Sequence, residues 1–403
     1  MTRARRANGA LACAAAGLAL VLSGGTARAG CIPVYGQIEL VPGLGGPSRL
    51  VAADLNGDGR PDLVAVVGDR LVSAINDGLG RFLPPVTIAE GSGRFVVADF
   101  DGDGKPDVAF ANVTAYATEI YSGIGDGTFH RTAIFPVPYG YPFDVAAGDF
   151  DGDGKTDLAI LLGSSVEVHL QRNGTLVAAG VLSSADPDAA AFWAIDLDGD
   201  GRVDLLCLHA QFGGSGLFSL QSQGNGSFLE MDSGIRVGTY RLFHLVASGD
   251  LNHDGRPDVV VVSAGNGSPA TLQVFRAGAG AYEESAVLTL ARTAASGVAV
   301  VDFEGTGSRE VAVLLFGTGD ATAELAIYRA LDANRLFFAS SQTLRAGDSF
   351  AFADFDGDGV MDLLLWSRDD VYSPYLMRGT CPTGPAQQPV RAEPVQVAPR
   401  RRP

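Results

Sequence analysis

Lysine is almost absent from this chain of 403 residues: two stand against 27 arginines, and 46 aspartates and glutamates take the net charge to −17. So acidic a chain repels phosphate backbones and anionic headgroups, which argues against a nucleic-acid or membrane-surface partner. Long apolar runs are missing as well. The stretch from Ala10 to Leu22 has 13 residues, short of the roughly 17 to 25 that cross a bilayer as a helix, so no membrane span is expected. Nowhere do apolar residues recur with the 3.6-residue period of an amphipathic helix. Catalytic signatures are missing too. The five histidines (His130, His169, His209, His244, His253) make no HExxH pair, and neither a GxSxG elbow nor a GxxxxGK[ST] phosphate cradle occurs.

The two ends differ from the rest. Residues 1–29 combine Arg3, Arg5 and Arg6, the short apolar stretch and a small-residue Ala27-Arg28-Ala29 end, the three parts of a secretory signal peptide. The mature protein is therefore expected to be secreted, extracellular or periplasmic, and to carry −21 once the four arginines of that segment are gone. Removing the segment also removes Cys13 and leaves three cysteines. In an oxidising compartment Cys31 and Cys381, at opposite ends of the mature chain, are the expected pair, with Cys207 a buried free thiol; three unpaired thiols is the alternative. Residues 382–403 are rich in proline and arginine and are expected to stay disordered.

Between these ends one nine-residue pattern recurs seven times: DLNGDGRPD at 54, DFDGDGKPD at 99, DFDGDGKTD at 149, DLDGDGRVD at 196, DLNHDGRPD at 250, DFEGTGSRE at 302 and DFDGDGVMD at 354. The spacings are 45, 50, 47, 54, 52 and 52 residues. Each copy follows a short apolar stretch and opens into a β-rich run such as DVAFAN. A third run, a tight glycine turn such as GDGTF at 125–129 and a fourth run complete the unit. Seven four-stranded units predict an all-β, seven-bladed propeller over residues 30–381. After the last copy only two further strands fit, whereas residues 34–41 supply one strand too many before the first. The surplus N-terminal strand is thus expected to complete the last blade and to bring Cys31 beside Cys381.

Within DFDGDGKPD, side-chain oxygens fall at positions 1, 3, 5 and 9, and position 7 can offer its carbonyl. Oxygen-only coordination in a flexible loop suits Ca²⁺ better than Mg²⁺. Without a cation, carboxylates about 5 Å apart repel by roughly 3 kcal/mol per pair at an effective dielectric of 20. The glycines accept the positive backbone angles that turn the acids inward. An EF-hand loop begins alike but places its last acid at position 12, where this chain has Ala65, Phe110 or Ile160. With the acid at position 9 leading straight into a strand, the pattern resembles the FG-GAP, or VCBS, repeat of the seven-bladed integrin α propeller and of many secreted microbial proteins.

That resemblance, over residues 32–381, implies about six Ca²⁺ sites. Copy by copy, the side-chain ligands it implies are Asp54, Asn56, Asp58 and Asp62 in the first loop, then Asp99, Asp101, Asp103 and Asp107 in the second. The third has Asp149, Asp151, Asp153 and Asp157, and the fourth Asp196, Asp198, Asp200 and Asp204. The fifth has Asp250, Asn252, Asp254 and Asp258, with His253 in place of the usual glycine at position 4, and the seventh Asp354, Asp356, Asp358 and Asp362. The backbone carbonyls would be those of Arg60, Lys105, Lys155, Arg202, Arg256 and Val360. Loop 302–310, with Asp302, Glu304, Thr306 and Glu310, departs most and is expected to keep the turn while binding weakly or not at all. Six ions would bring the mature charge from −21 to −9, and each would join the ends of two strands within one blade.

Because connections alternate between the ends of the strands, the acidic loops and glycine turns share one face, and the more individual connections occupy the other. There the candidates for ligand contact are Tyr116, Tyr139, Tyr141, His209, Phe212, Tyr240 and Arg241, aromatics beside polar groups that suit sugar stacking or a protein anchor. The reading is a monomeric, non-enzymatic, secreted Ca²⁺ propeller that binds carbohydrate or protein. A polysaccharide lyase or hydrolase built on the propeller is the alternative.

Overall fold

The computed structural model describes residues 31–381 except 139, 163–164, 184–188, 210–215, 238–242, 266–267, 279–280, 317–321, 333–334, 346, 348 and 368–373. The leader at 1–29 and the tail at 382–403 therefore lie outside the described residues. Each repeat folds into one antiparallel four-stranded sheet, giving seven blades, and no helix occurs among the described residues. The first strands of successive blades pack against one another, as Gly93–Ala98 does against Asp144–Gly148, and so line the axis of the ring.

The second strands explain why the runs after each acidic loop are apolar without alternation. Asp62–Val67, Asp107–Asn112 and Asp157–Leu161 are buried almost throughout, because each lies mid-sheet with a neighbouring blade on both sides. The fourth strands lie at the rim, and Phe129–Pro136 is exposed or half-buried along its length. Instead of one central core, seven apolar clusters among the described residues fill the gaps between blades. Phe150 and Val168 of blade three meet Phe192, Cys207 and Phe218 of blade four, for example, and Phe303 of blade six meets Phe350 and Phe352 of blade seven. Each fully buried large side chain contributes about 1.5 to 3 kcal/mol. A blade without a neighbour would forfeit half of this, so closure of the ring is an energetic requirement.

Closure takes the expected form. Blade seven contains Ser349–Ala353, Asp362–Trp366 and Tyr375–Thr380, and its fourth strand is the N-terminal Val34–Leu40. Val34 pairs with Thr380 and Tyr35 with Gly379, then a bulge resets the register to Ile38 opposite Met377. Blade six grips the same strand from the side. The Tyr35 amide donates to Gln342 Oε1 at 2.9 Å, Gln342 Nε2 donates back to the Tyr35 carbonyl, and the Tyr35 ring is buried. Cys31 and Cys381 form a disulfide, with Cα atoms 5.7 Å apart. Cys207 is free and buried, and burial pushes its thiol well up, so it presents almost no reactive thiolate.

Candidate metal centres

Every acidic loop joins the first strand of its blade to the second, and its shape comes from its own carboxylates. In the second loop Asp99 Oδ1 accepts from the Gly102 amide at 2.7 Å and Oδ2 from Gly104 at 2.9 Å. Asp101 accepts from the Asp103 amide, and Asp103 from the Lys105 amide. The same ladder recurs at 149–155, 196–202 and 354–360. It needs left-handed backbone at positions 4 and 6, which glycine accepts without cost: Gly102 has φ 80° and Gly104 φ 84°. In the fifth loop His253 is held at φ 62°, a strained angle for a residue with a Cβ, and its Nε2 lies 3.4 Å from Ser308 Oγ of blade six.

The position-2 residues, Leu55, Phe100, Phe150, Leu197, Leu251, Phe303 and Phe355, are buried and plug each loop into the clefts between blades. Position 9 does a second job that its acidity alone does not reveal. Asp107 is fully buried, Oδ2 accepting from the Phe100 amide at 2.8 Å and Oδ1 from the Gly123 amide at 2.8 Å where the third strand ends. Asp62, Asp157, Asp204 and Asp362 repeat this latch with Asn76, Gln171, Ser222 and Gly379. The latch sets the loops and the glycine turns on one face, as the alternation of connections predicts.

In four loops the carboxylates at positions 1, 3 and 9 converge. Asp99, Asp101 and Asp107; Asp149, Asp151 and Asp157; Asp196, Asp198 and Asp204; and Asp354, Asp356 and Asp362 each bring three oxygens within 4.8 Å of one another. Oxygens sharing one Ca²⁺ at about 2.3 to 2.6 Å stand no more than about 5 Å apart, so the donor type and spacing fit that ion. Position 5 is tied to the amide at position 7 in each of these loops, and Asp103, Asp153 and Asp200 also meet the basic side chain there, Lys105, Lys155 and Arg202. The loops at 54 and 250, with asparagine at position 3, keep the same ladder through Asn56 and Asn252. Burial pushes the carboxyls of Asp62, Asp107, Asp157, Asp204 and Asp258 up to about 6 and that of Asp362 up to about 7, against the pull of their backbone donors. A divalent cation beside them would restore the ionised form.

Sequence reasoning assigns position 7 a backbone role only, and the structure gives its side chains another. Arg60 Nη1 donates to the Asp356 carbonyl of blade seven at 2.5 Å, and Arg256 Nη2 to the Asp198 carbonyl of blade four at 3.1 Å. Asn76 and Ser222 likewise reach the carbonyls of Phe355 and Phe150 in the preceding blade. The loops are therefore cross-linked around the ring as well as within a blade. Arg172, Arg329 and Arg378, near the ends of third strands, also reach acidic loops. The variable lengths of the connections before those strands hide this register from the sequence.

Loop 302–310 gives a direct test of what burial costs. Glu310 is fully buried, its Oε2 accepts from the Phe303 amide at 3.1 Å, and burial with the nearby charge of Glu304 pushes its carboxyl up to about 7 despite Arg329. A carboxyl raised above its unfolded value stabilises the fold fully only below about pH 4, and that contribution is lost as pH rises through about 7. Glu310→Gln is therefore expected to match the parent protein at pH 4 and to be more stable by roughly 2 to 3 kcal/mol at pH 8. Denaturant unfolding at the two pH values measures this, and equal differences at both would refute it.

On the opposite face the described candidates gather at blades two and three. Tyr116, 60 % exposed, accepts the Val137 amide at its carbonyl at 2.9 Å, which ties its turn to the segment leading to Tyr141. Tyr141 packs on Phe143 with centroids 4.7 Å apart and the ring planes tilted by 39°, and the two are 43 % and 40 % exposed. Phe143 is absent from the candidates read in the sequence. It adjoins Asp144, which pairs with Arg94 of blade two at 3.0 Å. Tyr139, Phe212, Tyr240 and Arg241 lie outside the described residues, as does the side chain of His209, whose backbone ends the strand Asp204–His209.

Ring, clasp and repeated acidic loops together define a seven-bladed β-propeller with a row of carboxylate sites on one face. The model of the FG-GAP-like repeat matches residues 54–110, 99–160, 196–261 and 250–313, more than half of the sequence. The chain belongs to that repeat family. No curated protein sequence matches it. Among solved structures, an Agrocybe aegerita lectin described for specific recognition of non-reducing terminal N-acetylglucosamine superimposes with a TM-score of 0.54 at 19 % identity, over 80 % of this chain and 86 % of that one. The S. cerevisiae core factor superimposes with a TM-score of 0.53 at 10 % identity, over 87 % of this chain but 62 % of that one. At such identities the likeness is one of fold.

Proposed function

We infer that the protein is a secreted, Ca²⁺-stabilised binding module that recognises carbohydrate or protein through the face opposite its acidic loops. The observation that carries this is the division of labour between the faces. On one, the acidic residues are committed to loop shape and to carboxylate triads spaced for a cation. On the other, aromatic side chains are left exposed. Bound Ca²⁺ would be held by the residues at positions 1, 3, 5 and 9 and would supply charge neutralisation and a rigid loop. The apolar leader and the bond between Cys31 and Cys381 support export to an oxidising compartment. The lectin that shares the fold makes glycans the first ligand class to test.

An exposed aromatic pair suits a pyranose, whose apolar face packs on a ring. A glycan array probed with the mature protein is expected to give a restricted set of positives, each weakened at least about tenfold by Tyr141→Ala with Phe143→Ala, a loss of ~1.4 kcal/mol. Positives that the double variant leaves unchanged would remove the aromatic face as the binding site.

A further inference from the structure

In three of the seven acidic loops a basic side chain of the third strand reaches the acid at position 3. In blade six Arg329 stands directly across the ladder from Glu310, pairs with Glu304 and lies 3.4 Å from Glu310 Oε1. Those acids occupy positions 3 and 9, so the guanidinium joins the two groups that an ion would join elsewhere. In blade seven Arg378 Nη1 lies 3.0 Å from Asp356 and 3.8 Å from Asp362, again positions 3 and 9. Its other nitrogen is anchored on the Leu79 carbonyl at 2.7 Å and on Glu39, so it is not free to swing away. In blade three Arg172 pairs with Asp151 and, at 3.0 Å, with Asp153.

Elsewhere the basic residues leave the core of the loop open. Lys105 and Arg202 pair with position 5 alone. Arg60 and Arg256 turn to carbonyls of the preceding blade. Among the described residues no ion pair reaches Asp54, Asp58, Asp250 or Asp254. A Ca²⁺ ion needs the same carboxylate oxygens that these guanidiniums approach, and it is repelled by their fixed positive charge, so the two compete for one place.

We propose that Arg329 is the resident cation of loop 302–310, and that Arg172 and Arg378 compete with Ca²⁺ for loops 149–157 and 354–362. The ring then takes Ca²⁺ in two classes. Loops 54–62, 99–107, 196–204 and 250–258 fill first, the two arginine-guarded loops fill later, and loop 302–310 takes none. The idea rests on the Ca²⁺ reading above and refines it, since it assigns the sites an order.

The test is a Ca²⁺ titration of the chelator-treated mature protein by calorimetry, with bound ions counted by native mass spectrometry. Four ions are expected first, then two that bind about tenfold more weakly or worse. Arg172→Met with Arg378→Met should merge the classes into one of six, a gain of about tenfold for the last two. Arg329→Met should leave the count at six and lower the melting temperature equally in EGTA and in Ca²⁺. If that variant does not fold, Arg329→Lys keeps one charge without the planar fork, and is expected to hold the count at six with a smaller drop. Six equivalent sites indifferent to the arginines, or a seventh ion in the parent protein, would overturn the proposal alone. Binding of no Ca²⁺ at all would overturn it together with the reading on which it rests.

Discussion

Chelation of Ca²⁺ is expected to lower the melting temperature by roughly 10 °C. A ligand that binds only the folded state stabilises it by RT ln(1 + [L]/Kd), about 1.4 kcal/mol per loop at ten times the dissociation constant. Four open loops would together contribute ~6 kcal/mol, and each kilocalorie is worth about 2 °C in a domain of this size. The direction follows from the geometry. Three carboxylates lie within 4.8 Å of one another in each triad, and the position-9 acids are buried. Without the ion they repel, and burial raises the position-9 carboxyls to about 6 or 7. A thermal scan in EGTA, in 1 mM Ca²⁺ and in 1 mM Mg²⁺ decides the matter. A curve that Ca²⁺ fails to move would remove the metal assignment, and an equal shift with Mg²⁺ would remove its selectivity.

Opening the clasp is expected to cost nearly as much. The bond between Cys31 and Cys381 closes a loop with a sequence separation of 350 residues. The chain-entropy model assigns such a closure about 5 to 6 kcal/mol, an upper limit. Cys31→Ser with Cys381→Ser should therefore lower the melting temperature by up to about 10 °C, with the folded structure kept because Val34–Leu40 remains paired with Tyr375–Thr380. Buried Cys207 provides an internal control, since replacing it by Ser alters a core contact and not the closure. A double-serine variant that melts within about 1 °C of the parent protein would show that the strand and Gln342 close the ring without the bond.

Much of this architecture was legible in the residues. The repeated acid pattern marked the turn between the first two strands, and the unbroken apolar run after it marked the strand buried on both sides, because burial on two faces leaves no polar alternation. Counting strands at the two ends was enough to place 34–41 in the last blade. The departures from pattern were legible as well: His253 stands where left-handed backbone is required, and Glu304 and Thr306 mark the loop with the altered donor set.

What stayed hidden depends on contacts between segments whose separation varies. Position 9 reads as one more ligand, yet the fold also makes it the latch between the loop and the end of the third strand. Arg60 and Arg256 read as carbonyl donors and prove to bridge blades. Arg172, Arg329 and Arg378 carry no signal of their own, since connections of irregular length set which third-strand residue faces the loop. Phe143 likewise gains meaning only from its contact with Tyr141. The sequence by itself determined the ring, its closure and the chemistry of the acidic loops, because these follow from local pattern and periodicity. Only the tertiary structure decided which loops a guanidinium reaches and which aromatics share a surface, because those outcomes depend on where side chains from different strands and blades meet.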